Sequence, residues 1–218
     1  MKNIICIFAK PPLPGRTKSR LAASVGNIEA AELSEIMLQC LIRESENSIA
    51  DEVILWGSPE SCVDDFNRID FGKATFEVQN GNDLGARMGN CFQNYLNLAK
   101  SNVIIIGSDC ISHNSELLSS AFVMLPGNEI IIQPATDGGY VLIGQSKYNS
   151  DMFEKIIWGT DIVFKTTIDL LNKNSCKYKI LPEAFDVDTL DDLKVLFKFA
   201  SANSIKEILN WFQKYSLP

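Results

Sequence analysis

The sequence predicts an α/β protein, a three-layer αβα sandwich around a mostly parallel central sheet. Three observations predict it. Continuous apolar runs such as Val103 to Ile106 read as strands buried on both faces. These runs alternate with amphipathic segments of helical spacing through the first half of the chain, which is the pattern of βαβ units with right-handed crossovers. No Gly-, Ser- or Pro-rich linker, repeat or long charge run divides the 218 residues, so residues 1–218 are expected to form a single domain.

The first strand is Asn3 to Ala9, rich in isoleucine and stopped by Pro11 and Pro12. Glu29 to Glu46 carries Ala30, Leu33, Ile36, Met37, Cys40 and Leu41 at helix spacing. Glu52 to Trp56 is a strand closed by Gly57 and Pro59, and Ala74 to Val78 is a shorter one. Leu84 to Leu98 is a helix with Met88, Phe92, Tyr95 and Leu96 on one side. Val103 to Ile106 ends at Gly107, Ser115 to Leu125 is helical, and Glu129 to Gln133 and Tyr140 to Ile143 are strands flanking Asp137-Gly138-Gly139. Asp161 to Leu171 is a helix and Tyr178 to Leu181 a short strand. Thr189 to Ala200 and Ser204 to Lys214 close the chain as helices. Ile205, Ile208, Leu209 and Phe212 give the last helix an apolar face that covers the core or a second copy of the chain, so a homodimer is one expected state.

Composition narrows the partners. A formal net charge of -7 argues against nucleic acid and anionic membranes, both of which attract a basic face. No apolar run reaches the length of a membrane span, and the N-terminal run is too short for a signal-peptide core. Six scattered cysteines without a C-x-x-C pair read as reduced thiols in a cytoplasmic protein. A lone histidine, His113, leaves no partner for a multi-histidine zinc site or a Ser-His-Asp triad, and its polar surroundings suggest a surface or loop role.

Ligands of parallel sheets bind beyond the carboxyl ends of the strands, and the unusual residues stand there. After the first strand, F-A-K-P-P-L-P-G-R-T-K-S-R-L concentrates Lys10, Arg16, Lys18 and Arg20 around a turn at Gly15 that three prolines stiffen. This is the expected anion site of an acidic protein. Asn80 to Arg87 is a second Gly-rich loop entering a helix. Asn82, Asp83, Gly85 and Arg87 there either meet an anion or nucleotide, or Asn82 or Asp83 serves only as an N-cap. Asp109 directly follows an apolar strand, where a carboxylate either caps the next turn or holds a divalent cation. Asp186 and Asp188 lie on one face of extended chain with Val187 on the other, and either is a candidate second metal ligand. Asp191 and Asp192 suit the N-terminus of the following helix. Asp137-Gly138-Gly139 is either a plain hairpin turn or a place where a ligand lies against the backbone while Asp137 binds a hydroxyl or a base. Trp56 and Trp158 read as packing residues.

Taken in order, F-A-K-P-P-x-P-G-x-x-K-S-R-L, G-N-D-L-G-A-R-M, G-S-D-C, P-A-x-D-G-G-Y-x-L-I-G and D-V-D-T-x-x-D-L resemble a bacterial family labelled as arsenosugar-biosynthesis glycosyltransferases, within the nucleotide-diphospho-sugar transferase superfamily of GT-A fold. The resemblance runs from Phe8 to Leu193. It implies a GT-A-type domain with a nucleotide site and a divalent cation, Mg²⁺ or Mn²⁺, on Asp109 and Asp188. It likens Lys18 to Leu21 to the end of a phosphate loop, with Lys18 and Arg20 stabilising developing charge. The implied activity is glycosyl transfer from a nucleotide sugar to a small-molecule acceptor. The alternatives are nucleotidyl transfer from a nucleoside triphosphate to a phosphorylated or carboxylated acceptor, and non-catalytic nucleotide binding. This chain departs from the family pattern at Ile111-Ser112, where Pro-Asp is usual, and at Thr136, where an acidic residue is usual. It also has Ser19 where the family usually has threonine.

Overall fold

A computed structural model describes residues 1–96 and 101–216. Seven strands form one sheet in the order β3-β2-β1-β4-β6-β5-β7. They are β1 (Lys2–Ala9), β2 (Glu52–Gly57), β3 (Thr75–Val78), β4 (Ser101–Gly107), β5 (Ile130–Pro134), β6 (Tyr140–Gln145) and β7 (Tyr178–Ile180). Every neighbouring pair is parallel except the two made by β6, which runs against both β4 and β5. The mostly parallel sheet expected from the βαβ pattern is therefore present. The helices are α1 (Ser19–Val25), α2 (Asn27–Glu46), α3 (Leu84–Leu96), α4 (Ser115–Met124), α5 (Val163–Lys173), α6 (Leu190–Ala202) and α7 (Lys206–Lys214).

The two-residue period of β1 divides the core. Ile5 and Ile7 point to the face covered by Leu38, Leu41 and Ile42 of α2 and by Leu118, Ala121 and Phe122 of α4. Ile4 and Cys6 point to the face covered by Met88, Cys91 and Phe92 of α3 and Leu171 of α5. A third apolar cluster lies outside the sandwich. There Leu33, Met37 and Cys40 of α2 meet Leu193 and Leu196 of α6 and Ile208, Trp211 and Phe212 of α7. The apolar face of α7 thus covers α2. Trp211 Nε1 donates to Glu29 O at 3.1 Å, and Tyr215 Oη donates to Glu32 Oε2 at 2.6 Å. Among the described residues no helix is long and apolar enough to cross a membrane.

Two sequence expectations change, and a third lies partly outside the described residues. The segment Ser19–Val25 forms a helix that the opening loop hides, because the prolines before it end at Pro14. The helix from Leu84 is described to Leu96, and the remainder of the expected span lies outside the described residues. His113 does lie in the loop before α4, but it is fully buried rather than at the surface. Its Nε2–H donates to Gln133 Oε1 at 3.0 Å, and Gln133 Nε2 donates to Pro182 O at 2.9 Å, so the ring ties the start of α4 to β5 and to the chain after β7. Asn114, its exposed neighbour, caps α4 by accepting from Leu117 N.

Burial pushes the His113 imidazole down to about 4. The unfolded chain then binds the extra proton between that value and about 6.5, so stability is complete above that range and falls as pH drops through it. Urea unfolding at pH 7.5 and pH 5 is expected to show a loss of about 2 kcal/mol from this group. His113→Gln is expected to flatten that part of the difference.

Candidate functional site

The sheet reverses direction of winding at β1, whose neighbours are β2 on one side and β4 on the other. The crevice beyond the carboxyl ends of these strands is where ligands of open α/β sheets bind. Two adjoining hollows occupy it, of about 510 and 560 Å³, and both are lined by Arg20, Leu84 and Asp188. The first also carries Lys10, Lys18, Arg87 and Asp109 and is cation-lined. The second carries Asp137, Asp161, Asp186, Tyr140 and Trp158 and is acidic and aromatic. The reversed strand β6 matters here, because its beginning, not its end, delivers Tyr140 to this edge.

Lys18 joins the separate segments. It sits at the N-cap of α1 with φ 45° and ψ 47°, left-handed values that are uncommon for a residue with a Cβ. Its side chain is 1% exposed. The ammonium donates to Asp109 Oδ1 and, at 2.6 Å, to Val187 O. Val187 N in turn donates to Asp109 O at 3.0 Å, so the residues after β4 and before α6 are stitched together. Arg20 reaches the same strap from α1, with Nη1 3.2 Å from Asp188 Oδ2. Asp192 Oδ2 accepts from Asp188 N, Thr189 N and Thr189 Oγ1, which completes a capping box and fixes the strap as α6 begins. Asp192 therefore has the capping role its position suggested, while Asp191 pairs with Lys194.

The remaining expected residues divide. Lys10 and Arg87 line the cation-lined hollow, with Arg87 Nε bonded to Gly81 O at 3.1 Å. Arg16 does not join them: its guanidinium is turned to Asp65 and to Glu60 O, at 2.8 and 3.4 Å. Gly15, at φ +78°, supplies the turn that carries the chain from one direction to the other. Asp83 Oδ1 accepts from Ala86 N at 2.7 Å and so acts as a cap, and Asn82 is exposed. Gly85 is covered by Trp158, whose ring would lie 2.6 Å from a Cβ placed there. Trp158 packs, as expected, and also walls the acidic hollow. At Gly138, φ is +88° and a Cβ would fall 2.1 Å from Asp161 O. The close approach this glycine permits is to the chain's own backbone, and Gly139 N donates to Asp137 Oδ1 at 2.8 Å in the same turn.

The carboxylates interact. Burial pushes the Asp186 carboxyl up to about 6, with the charges of Asp137, Asp109 and Asp188 adding to it. The donors available for a cation are all carboxylate oxygens, which suits a hard ion such as Mg²⁺ or Mn²⁺. Among the described residues no three His, Cys, Asp or Glu side chains are grouped for a metal. Asp109 and Asp188 are each paired with a cation of the chain, Lys18 and Arg20, so an ion held there would take most of its shell from phosphate and water, the habit of Mg²⁺. Sequence reading passed over Ser58 and Gln79, which line the cation-lined hollow. The signal for both was the strand-end rule, since Ser58 follows β2 and Gln79 follows β3 directly.

The buried ammonium makes the two ends of its ion pair unequal. Asp109→Ala leaves Lys18 charged and sealed from water, with an expected cost of about 3 kcal/mol. Lys18→Met keeps most of the buried stem and returns Asp109, whose side chain is 45% exposed, to solvent; its expected cost is about 1 kcal/mol. Chemical denaturation of the two variants measures the order.

Comparison with known proteins follows the geometry. A candidate nucleotide-diphospho-sugar transferase from Desulfovibrio desulfuricans superposes with a TM-score of 0.91 at 29% identity, covering 99% of this chain and 97% of that one. Rv0371c of Mycobacterium tuberculosis, in complex with manganese, has a TM-score of 0.57 at 14% identity over 91% and 99% of the two chains. A cytidylyltransferase from Leptospira borgpetersenii has a TM-score of 0.58 at 17% identity over 93% and 87%. The latter two likenesses show the fold alone. No protein of curated function matches the chain. Residues 42–160, more than half of the chain, match the family described as an uncharacterized protein conserved in bacteria, DUF2064, and the chain belongs to that family.

Proposed function

We propose that the whole chain, residues 1–218, acts as one metal-dependent transferase domain using a nucleotide-sugar donor. The observation that carries this reading is the pair of adjoining hollows that share Arg20 and Asp188, one cation-lined and the other acidic and aromatic. A nucleoside diphosphate fits the chemistry of the first, and a polyhydroxylated sugar with its acceptor fits the second. The resemblance to glycosyltransferases labelled for arsenosugar biosynthesis supports the same choice, as does the name of the Desulfovibrio protein.

In this reading the acceptor oxygen bonds to the anomeric carbon while the bond from that carbon to the β-phosphate oxygen breaks. The acceptor proton passes to a carboxylate, for which Asp137 is the proposed group, and the nucleoside diphosphate departs. Lys10, Arg20 and Arg87 hold the charge that develops on the departing phosphate. Lys18 acts through Asp109, whose carboxylate and the Val187 carbonyl it fixes. Asp109 and Asp188 would hold Mg²⁺ or Mn²⁺, which when bound neutralises phosphate charge.

A second reading is nucleotidyl transfer, in which an acceptor oxygen attacks the α-phosphorus of a triphosphate and pyrophosphate leaves. The gathering of Lys10, Arg20 and Arg87 at one hollow favours it, because a triphosphate carries more charge than a diphosphate sugar. The similarity to the Leptospira cytidylyltransferase supports a compatible fold.

Calorimetry against UDP-sugars, GDP-sugars and free triphosphates, with and without Mg²⁺ or Mn²⁺, is the test. Metal-dependent binding of a nucleotide sugar is expected. Asp109→Asn and Asp188→Asn are each expected to weaken it by more than the roughly 10–100-fold that loss of an outer-shell partner costs. Release of pyrophosphate from a triphosphate would select the second reading. Absence of nucleotide binding at millimolar concentration with either metal would reject both.

A further inference from the structure

Trp158 reaches the acidic hollow from a short turn between β6 and α5. Thr160 Oγ1 donates to Ile157 O at 2.7 Å and closes that turn, and Gly159, at φ +79°, gives it its bend. The far end of the turn is pinned to the Asp137-Gly138-Gly139 loop. Phe164 N donates to Gly138 O at 2.9 Å, and the Asp161 carbonyl fills the space beside Gly138 where a side chain would stand. The backbone that carries the indole is therefore held on both sides.

Three neighbours set the ring itself. Tyr140 meets it edge-on, with centroids 6.3 Å apart and planes at 81°, and Phe153 lies 6.5 Å away at 40°. The third is Gly85, buried in the first turn of α3. A Cβ there would lie 2.6 Å from Cζ2 of the indole and 2.9 Å from both Cε2 and Nε1. Glycine in a helix is less stable than alanine, and the space taken by the indole is the reason for it at this position. Trp56 and Trp211 are core residues, 2% and 1% exposed. Trp158 is only half-buried, and the rest of its surface walls the hollow together with Asp137, Asp161 and Asp186.

We propose that Trp158 is a platform on which a sugar ring stacks, and that Gly85 gives the indole its place. One face of a pyranose is a sheet of C–H bonds, apolar and slightly positive, while the face of an indole is apolar and slightly negative. The rim of the same sugar carries hydroxyl groups, which donate to carboxylate oxygens. A flat aromatic wall beside carboxylates matches both parts. A phosphate matches neither, since the carboxylates repel it. The assignment rests on the nucleotide-sugar reading above and names the residue that tells a nucleotide sugar from its bare nucleotide.

Calorimetry and tryptophan fluorescence with UDP-glucose, UDP-N-acetylglucosamine and GDP-mannose, each set against UDP or GDP with Mg²⁺, form the test. Trp158→Ala is expected to bind the preferred nucleotide sugar roughly tenfold more weakly, the upper range of an aromatic contact, and to bind the bare diphosphate as the wild type does. Trp158→Phe keeps a flat ring and is expected to retain most of the affinity. Trp158→Leu is apolar but not flat and is expected to behave as the alanine variant. Gly85→Ala crowds the indole, so it is expected to weaken nucleotide-sugar binding in the wild type and to leave it unchanged in Trp158→Ala. Wild-type emission is expected to move to shorter wavelength with the nucleotide sugar and not with UDP or GDP, because the sugar removes water from Trp158 while Trp56 and Trp211 are already sealed. Trp158→Phe is expected to lose that shift, and this readout decides the matter if the alanine variant fails to fold. Unchanged nucleotide-sugar affinity in Trp158→Ala would overturn the assignment and leave nucleotide binding intact, as would an equal emission shift with the bare diphosphate. If no nucleotide binds at millimolar concentration, the nucleotide-sugar reading fails. A Trp158-dependent shift with methyl glucoside or methyl mannoside would then still support the platform, and its absence would remove it.

Discussion

A single buried ammonium organises the crevice. Lys18 comes from the first loop, Asp109 from the end of β4 and Val187 from the strap before α6, and its one charged group bonds to both of the others. A charge sealed from water must be paired and hydrogen-bonded, so the three segments cannot drift apart without exposing it or leaving it uncompensated. The left-handed backbone at Lys18 aims the side chain inward. Arg20, two residues on, repeats the connection at the surface through Asp188. The carboxylates proposed to hold a metal are thus positioned by cations of the chain itself. The same loop that brings cations to the crevice also sets the carboxylates facing them.

That arrangement depends on the topology. β1 lies between β2 and β4, and strand ends that are distant in sequence arrive side by side. Most of this was legible in the sequence. Ile4, Ile5 and Ile7 are consecutive or alternate apolar residues that only a strand covered on both faces can bury, and the structure covers both. The strand-end rule led to Lys18, Asp109, Asp137 and Asp188, and the two hollows are lined by all four.

What the sequence concealed was the direction of side chains and the competition for partners. Arg16 belongs to the same charged loop as Lys18, yet Asp65 and Glu60 O, far away in sequence, hold it elsewhere. Gly138 signals close approach, but the approaching group is the backbone of Asp161, which no local pattern reveals. His113 lies among polar residues in sequence, and its burial comes from Gln133, a residue that reads as ordinary strand end. Ser58 and Gln79 are neutral and unremarked in composition, and only their place directly after β2 and β3 brings them to the hollow.

The docking of α7 on α2 bears on how the molecule is made. Trp211 meets Glu29 across 182 positions, and Lys18 meets Val187 across 169. During synthesis from the N-terminus, the outer face of α2 and the first loop wait for the last part of the chain before either is covered. Such long sequence separations slow folding, because closing each span costs entropy before its contacts form. The cationic loop therefore leaves the ribosome well before the segment that holds it in place. An exposed apolar helix and a mobile cationic loop on a nascent chain are surfaces on which a chaperone can act.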